Sequence, residues 1–120
     1  MNSFMSKKTD ITRLLFIVEK IDDLLNYKKE YKSIEALLNA KMGFDATNMC
    51  IMQIGETLNK LSEDIQKTYP NLPIKESYLT RNYIAHDYEG VNKQIIEMII
   101  REQLPQLKQQ INLILKELQK

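Results

Sequence analysis

Apolar residues recur at three- and four-residue steps along the chain, the spacing that gathers them on one face of an α-helix. The first such stripe follows Asp10, which is a suitable N-cap. The pattern therefore predicts a helix from about Asp10 to Asn26. Residues 1–9 ahead of it are expected to form a flexible N-terminus. The apolar stripe of this helix comprises Ile11, Leu14, Leu15, Val18, Ile21, Leu24 and Leu25.

The middle of the chain predicts a short helix and then a long one. Ser33 is positioned to cap a short helix that starts at Ile34. A second stripe predicts a long helix over residues 45–69, where Pro70 ends it. Gly55 lies inside this helix at a cost of roughly 1 kcal/mol relative to Ala, which indicates close packing against a neighbour. The stripe comprises Thr47, Cys50, Ile51, Ile54, Leu58, Leu61 and Ile65.

Two more helices complete the pattern. Pro73 suits the first turn of a helix that begins near Ile74, and the last helical stretch covers residues 93–118. Pro105 lies inside that stretch and must kink or split it. No segment alternates with the two-residue period of a β-strand. The sequence therefore predicts one all-α domain over residues 1–120, an antiparallel bundle of four main helices with a short extra helix.

Charge and composition narrow the function classes. The net charge of +1 does not favour nucleic-acid binding through overall charge, although two paired copies could share a basic patch. One cysteine allows no internal disulfide, which fits a reducing cytoplasm. No run of about 18 apolar residues exists, and the N-terminus has no apolar stretch after its basic residues. We therefore expect a cytoplasmic protein with neither a secretory signal nor a membrane partner.

Residue types argue against most kinds of catalytic site. His86 is the single histidine, and one histidine cannot assemble the multi-His site of a catalytic zinc. The chain has no Gly-rich phosphate loop, and no metal or other cofactor is expected. Cys50 lies in the apolar stripe of the long helix, where a small buried side chain is favoured over a nucleophile.

The segment from Arg81 to Tyr88 is the exception, because it concentrates Arg, Asn, His, Asp and two Tyr beside a helix boundary. An arginine can bind a phosphate bidentately and stabilise developing charge. A histidine can move a proton near neutral pH, either from a ribose 2′-OH or to a leaving oxygen. Together they could cleave RNA without a metal. The alternative is structural, a surface arginine and a histidine that complements the helix dipole.

Helical geometry limits how Arg81 and His86 can cooperate. They are five residues apart, so a regular helix puts their side chains about 140° out of register. Acting on one phosphate then requires a helix end, an irregular turn or a second copy of the chain. A symmetric dimer supplies two arginines and two histidines, which removes the need for one histidine to act twice.

The run Arg81-Asn82-Tyr83-Ile84-Ala85-His86-Asp87-Tyr88 resembles the motif of the HEPN family: Arg, a polar residue, three further positions, His, any residue and Tyr. Its surroundings are similar to the HepT branch, the toxin half of HepT–MntA toxin–antitoxin modules. The resemblance extends from about Asp10 to Leu118. The landmarks outside the motif are Ile54-Gly55-Glu56-Thr57, Pro73, Val91-Asn92 and Leu104-Pro105-Gln106-Leu107.

This resemblance implies a metal-independent endoribonuclease toxin that works as a homodimer, with Arg81 and His86 of both chains lining a shared cleft. Asn82 would be the polar neighbour that orients them. The resemblance also implies an antitoxin partner with a minimal nucleotidyltransferase fold, which transfers AMP from ATP onto the motif tyrosine, here Tyr88. Such an adduct beside Arg81 would put negative charge and bulk where the RNA phosphate must bind.

Three positions depart from the HepT pattern. Ile74 follows the proline where the family often has Trp, Leu79-Thr80 stands where a Gly is common shortly before the Arg, and Thr57 replaces Ala. These departures bear on loop shape and on the fit of a partner. Glu56 is either a group that contacts the motif or an ordinary packing residue. The alternative function is a non-catalytic helical module that pairs with a nucleotidyltransferase or binds nucleotides.

Overall fold

The computed structural model describes residues 3–120, and all regular elements in this range are helical. They are α1 (Ser3–Glu30), α2 (Ile34–Asn39), α3 (Lys41–Asn59), α4 (Glu63–Thr68), α5 (Ile74–His86), α6 (Lys93–Met98) and α7 (Leu104–Leu118), with a π-helical segment (Ile99–Gln103) joining the last two. The all-α prediction is confirmed, with two short helices, α2 and α4, between the main ones. None of the helices in the described range combines the length and apolar composition that a bilayer crossing requires.

The core forms around α3, which packs against both α1 and α5, while α1 also packs against α7. The stripe predicted for α1 includes Leu15 and omits Ile17. Both assignments are wrong, because Leu15 is half exposed and Ile17 is fully buried. The fully buried positions of α1 thus keep strict three- and four-residue steps, at Leu14, Ile17, Ile21 and Leu24. The stripe predicted for the long helix is confirmed, with every member buried: Thr47, Cys50, Ile51, Ile54, Leu58, Leu61 and Ile65.

The beginning of α1 differs from the prediction. The helix starts at Ser3 and not near Asp10, so the segment predicted as a flexible N-terminus is helical from residue 3, and residues 1–2 lie outside the described part of the chain. Asp10 is buried within α1 and does not cap it. Its carboxylate accepts hydrogen bonds from the Ser62 N–H at 2.9 Å and the Ser62 hydroxyl at 2.5 Å. Asp10 therefore stabilises a distant helix start.

The long helix predicted over residues 45–69 is two helices, α3 and α4, separated by residues 60–62. The Ser62 hydroxyl caps α4 by accepting a backbone N–H of its first turn at 3.3 Å. At the end of α3, the guanidinium of Arg13 donates to the Lys60 carbonyl at 2.5 Å. Side chains of α1 thus satisfy backbone groups that the interruption leaves without helical partners.

Pro105 is accommodated by a local widening of the last helix. Proline has no N–H, and in an α-helix its ring clashes with the carbonyl four residues earlier. Just before it, the Leu104 N–H bonds to the carbonyl of Ile99, five residues back, as in a π-helix. The prediction that the last helix is kinked or split at Pro105 is confirmed.

Candidate functional site

The motif occupies the last turns of α5 and the loop that follows it. The backbone stays helical through His86, and Asp87 leaves the helix with a φ of −143°. Arg81 and His86 therefore belong to one regular helix, and their side chains leave it about 140° apart. Within one chain, these two residues do not meet on one face.

Arg81 is fixed by side chains around its guanidinium. Its Nε donates to Glu56 Oε1 on α3 at 2.9 Å, and its Nη1 donates to Asn82 Oδ1 at 2.9 Å. The guanidinium also lies over the ring of Tyr78, 5.8 Å from its centre, a distance at which a cation is attracted to an aromatic face. The Arg81 side chain is 29% exposed. Its Nη2 has no hydrogen-bond partner among residues 3–120, so this nitrogen is available to an anion.

Gly55 sets the distance between α3 and α5 beside this arginine. A Cβ at residue 55 would lie 2.6 Å from the carbonyl oxygen of Ser77 and 3.0 Å from Cβ of Arg81. Any larger side chain would therefore force the two helices apart. The predicted close packing at Gly55 is confirmed, and it brings Glu56 within reach of Arg81.

His86 has a different environment. It is the last residue of α5 and is exposed. In the described part of the chain, its imidazole makes no hydrogen bond. Asn82, which shares its helix face by spacing, uses its side-chain oxygen for Arg81. The structure thus brings together Arg81, Asn82 and Glu56 and leaves His86 apart.

The Tyr88 side chain packs against the first turns of α3. Its hydroxyl donates a hydrogen bond to Asp45, and its ring meets the ring of Phe44 edge to face, with 5.6 Å between centres and 73° between planes. Partial burial raises the pKa of the Tyr88 phenol, and the hydrogen bond to Asp45 raises this pKa further, while the Asn48 amide lowers it. The motif tyrosine is therefore a protonated hydrogen-bond donor at neutral pH.

The loop between the motif and α6 is tied back to α5. The Asn92 N–H donates to the hydroxyl of Tyr83 at 2.9 Å. The side chain of Asn92 caps α6 by accepting the Gln94 N–H at 2.8 Å. Both bonds fix Asn92, the C-terminal end of the segment that carries Tyr88.

Sequence reasoning missed Asp45, Phe44 and Tyr78 as neighbours of the motif. The helical spacing carries a partial signal for Asp45. Asp45 and Glu56 are eleven residues apart and share a face of α3. Because Glu56 contacts Arg81 and α5 runs antiparallel to α3, the residues after Arg81 approach the Asp45 end of that face, but the spacing alone does not pair Asp45 with Tyr88.

A shallow groove of about 310 Å³ adjoins Tyr88. Lys93 lies in its wall, with Nζ 5.7 Å from the centre of the Phe44 ring and 3.4 Å from Asn39 Oδ1. The groove therefore combines a cation with aromatic surface. No group of three or more His, Cys, Asp or Glu side chains in the described range is arranged to hold a metal ion.

Comparison with known proteins gives one family. Residues 17–114 match the family described as "Ribonuclease HepT-like". The chain is 31% identical over 113 residues to "Putative RNase MJ0125" of Methanocaldococcus jannaschii, covering 93% of this chain and 97% of that protein. It is 30% identical over 113 residues to "Putative RNase MJ1216" of the same organism, covering 93% of each.

A relative from a second organism carries the family name itself. The chain is 26% identical over 92 residues to "Probable ribonuclease HepT" of Thermococcus cleftensis, covering 77% of this chain and 83% of that protein. No solved structure matches the chain at a significant level.

Proposed function

The chain belongs to the HepT-like ribonuclease family, and on that basis we propose that it is a metal-independent endoribonuclease, the toxin of a toxin–antitoxin system. It acts on RNA as a homodimer and needs no cofactor. Arg81 and His86 are the catalytic residues. Asn82 and Glu56 support the arginine. Tyr88 is the residue to which a nucleotidyltransferase antitoxin attaches AMP.

The fixed guanidinium of Arg81 is the observation that carries this proposal. Glu56 and Asn82 hold two of its nitrogens, so little conformational freedom is lost when a phosphate binds. The open side of the guanidinium can then contact a phosphate of RNA through charge-assisted hydrogen bonds. In the transition state the non-bridging oxygens of the phosphate carry additional negative charge, and a cation already in place stabilises that charge without reorganisation.

His86 is proposed to move the protons. The ribose 2′-OH attacks the adjacent phosphorus, its proton passes to one imidazole, and a protonated imidazole donates a proton to the leaving 5′-oxygen. The products are a 2′,3′-cyclic phosphate and a 5′-hydroxyl. Because one imidazole cannot be base and acid in the same step, a two-fold homodimer supplies the second His86. The exposed position of His86 at the end of α5 supports a role across such an interface.

Tyr88 is proposed as the point of control. It lies beyond His86 at the end of the motif, where an attached AMP adds a negative charge and a large group. Both effects would oppose the binding of an RNA phosphate to the same surface. The groove beside Tyr88, with Lys93 and Phe44 in its wall, offers space for a nucleotide.

RNA cleavage in EDTA tests the proposal. The purified chain is expected to produce fragments that end in 2′,3′-cyclic phosphates. Arg81→Ala and His86→Ala are each expected to lower the cleavage rate by about 10²-fold or more, the usual contribution of such groups. Arg101→Ala is the matched control, because Arg101 is an exposed arginine that also pairs with a glutamate, Glu97, outside the motif.

Two outcomes would overturn the cleavage mechanism: activity retained in His86→Ala, and activity that depends on a divalent metal. A host that lacks the antitoxin separates the toxin from a non-catalytic binding module. If wild type and Arg81→Ala are equally harmless there and neither cleaves RNA, the binding module is the better description.

A further inference from the structure

Tyr88 has a carboxylate partner that the proposed cleavage chemistry does not use. Its hydroxyl donates to Oδ1 of Asp45, and its ring is held against Phe44. Both partners lie in the first turns of α3, whereas Tyr88 lies in the loop after α5. The phenolic proton is therefore already directed at an acceptor on another helix.

The phenol is a weak nucleophile in this position. An ordinary phenol with a pKa of about 10 is ionised in only about one molecule in a thousand at pH 7. Partial burial and the neighbouring Asp45 raise the pKa of Tyr88 above its ordinary value, so the ionised fraction is smaller still. A reaction in which the Tyr88 oxygen is the nucleophile consequently needs a group that removes its proton.

We propose that Asp45 is the proton acceptor when Tyr88 is adenylylated, an inference that rests on the proposed function. The Tyr88 oxygen attacks the α-phosphorus of ATP and forms a new O–P bond. The bond from that phosphorus to the oxygen bridging the β-phosphorus breaks, and pyrophosphate leaves. The phenolic proton passes to Asp45 Oδ1, and from there to solvent, because the Asp45 side chain is 46% exposed.

The surroundings of Asp45 suit this role. Lys41 Nζ lies 3.7 Å from Asp45 Oδ2, which leaves Oδ1 for the phenol. Lys41 and Lys93 both line the groove beside Tyr88 and put positive charge where the phosphates of ATP must approach. The charged and aromatic side chains of the groove are Lys41, Phe44, Asp45, Tyr88, Glu89 and Lys93.

Adenylylation kinetics with the nucleotidyltransferase partner and magnesium–ATP test the proposal. The added adenylyl group is followed by intact mass and located by peptide mass spectrometry. Asp45→Asn still accepts a hydrogen bond but cannot take the proton, so it is expected to slow modification of Tyr88 by roughly 10²-fold, with the KM for ATP unchanged. Below the pKa of the phenol, the rate for Asp45→Asn is expected to rise about tenfold per pH unit, because only the ionised phenol then attacks.

Two variants separate chemistry from folding. Asp45→Glu keeps a carboxylate and is expected to recover part of the rate. Asp22→Asn is the matched control, because Asp22 also pairs with a lysine, Lys108, and its side chain is 45% exposed, but it lies outside the motif. It should be modified at the wild-type rate.

Two outcomes distinguish a failure of the Asp45 role from a failure of the proposed function. Modification of Asp45→Asn within about twofold of wild type, or a pH profile parallel to that of wild type, overturns the role of Asp45 and leaves the proposed function intact. A wild-type chain that gains no AMP on Tyr88 overturns both this inference and the regulatory part of the proposed function.

Discussion

Arg81 and His86 lie on the same helix, yet their environments are opposite. Arg81 is held by Glu56 and Asn82 and lies over the ring of Tyr78. His86, five residues later, is exposed at the end of α5 and makes no side-chain hydrogen bond within residues 3–120. One proposed catalytic group is therefore fixed by the fold, and the other is not.

This difference matters for the proposed reaction. A phosphate-binding group gains from being fixed, because it then loses little freedom when the anion arrives. A proton carrier must also be oriented, and nothing in the described part of the chain orients His86. We therefore infer that one chain completes the phosphate-binding half of the site, and that the proton-transfer half depends on a second chain or on the RNA.

Mixing two inactive variants gives the largest expected effect and tests this division directly. Arg81→Ala keeps the histidine half, His86→Ala keeps the arginine half, and each alone is expected to cleave RNA about 10²-fold more slowly than wild type. If the halves act across a dimer interface, mixed dimers combine an intact Arg81 with an intact His86, but they hold only one of the two imidazoles that the proposed mechanism uses. The mixture is therefore expected to cleave about tenfold faster than either variant alone and about tenfold more slowly than wild type, measured with a fluorescent RNA.

The control mixes Arg81→Ala with a chain that carries both substitutions, which cannot rebuild the site. Affinity tags of two kinds establish that mixed dimers have formed. No recovery in mixed dimers would contradict cooperation between Arg81 of one chain and His86 of the other, and the division between them would be wrong.

Glu56→Ala tests how much the fixed position of Arg81 contributes to RNA cleavage. It removes the acceptor for Arg81 Nε, and a hydrogen bond to a charged group is worth about 1.5 kcal/mol or more, so kcat for RNA cleavage is expected to fall roughly tenfold. KM should stay constant or fall, because a negative charge is lost near the RNA. Glu97→Ala, which frees the exposed Arg101, is the control. An unchanged kcat would mean that Glu56 is only a packing residue.

The smallest expected effect is a change in the pKa of Tyr88, the second motif side chain that the fold holds in place. Because the Asp45 hydrogen bond helps to raise the pKa of the phenol, Asp45→Asn is expected to lower that pKa. In the folded chain the pKa of Tyr88 is above the ordinary tyrosine value of about 10. This difference stabilises the fold fully at pH below about 10, and the stabilisation is lost as pH rises through the folded pKa. The wild-type chain should therefore lose more stability than Asp45→Asn in this alkaline range.

Tyrosinate absorbance measures this titration. The chain has six tyrosines, so the Tyr88 signal is obtained by subtracting the titration of Tyr88→Phe. A Tyr88 pKa that is higher in Asp45→Asn than in wild type would contradict the contact between the two side chains.

Local signals in the sequence were sufficient for most of the fold. The apolar stripe of α3 and the effect of Pro105 were predicted, because helical periodicity and the missing N–H of proline act over neighbouring residues. The errors came from contacts between distant residues. Ser62 followed by Glu63 and Asp64 is a local signal for the start of α4, but its contact with the buried Asp10, 52 residues away, is not visible in any local pattern.

The candidate site divides in the same way. The spacing within the motif predicted that Arg81 and His86 would leave a helix in different directions, because that follows from helix geometry alone. The contact between Arg81 and Glu56 was left open, and the contact between Tyr88 and Asp45 was missed. Both depend on how α3 and α5 face each other, which is a property of the packed bundle.

The close approach of α3 and α5 at Gly55 predicts where inactivating mutations arise. A side chain at this position meets the backbone of Ser77 and the Cβ of Arg81, so nearly every amino-acid substitution there would displace the arginine. On the proposed function, cells that survive expression of the chain should therefore carry loss-of-function alleles at codon 55 as well as at codons 81 and 86. Natural selection would then preserve this glycine as strictly as a residue proposed to touch the RNA.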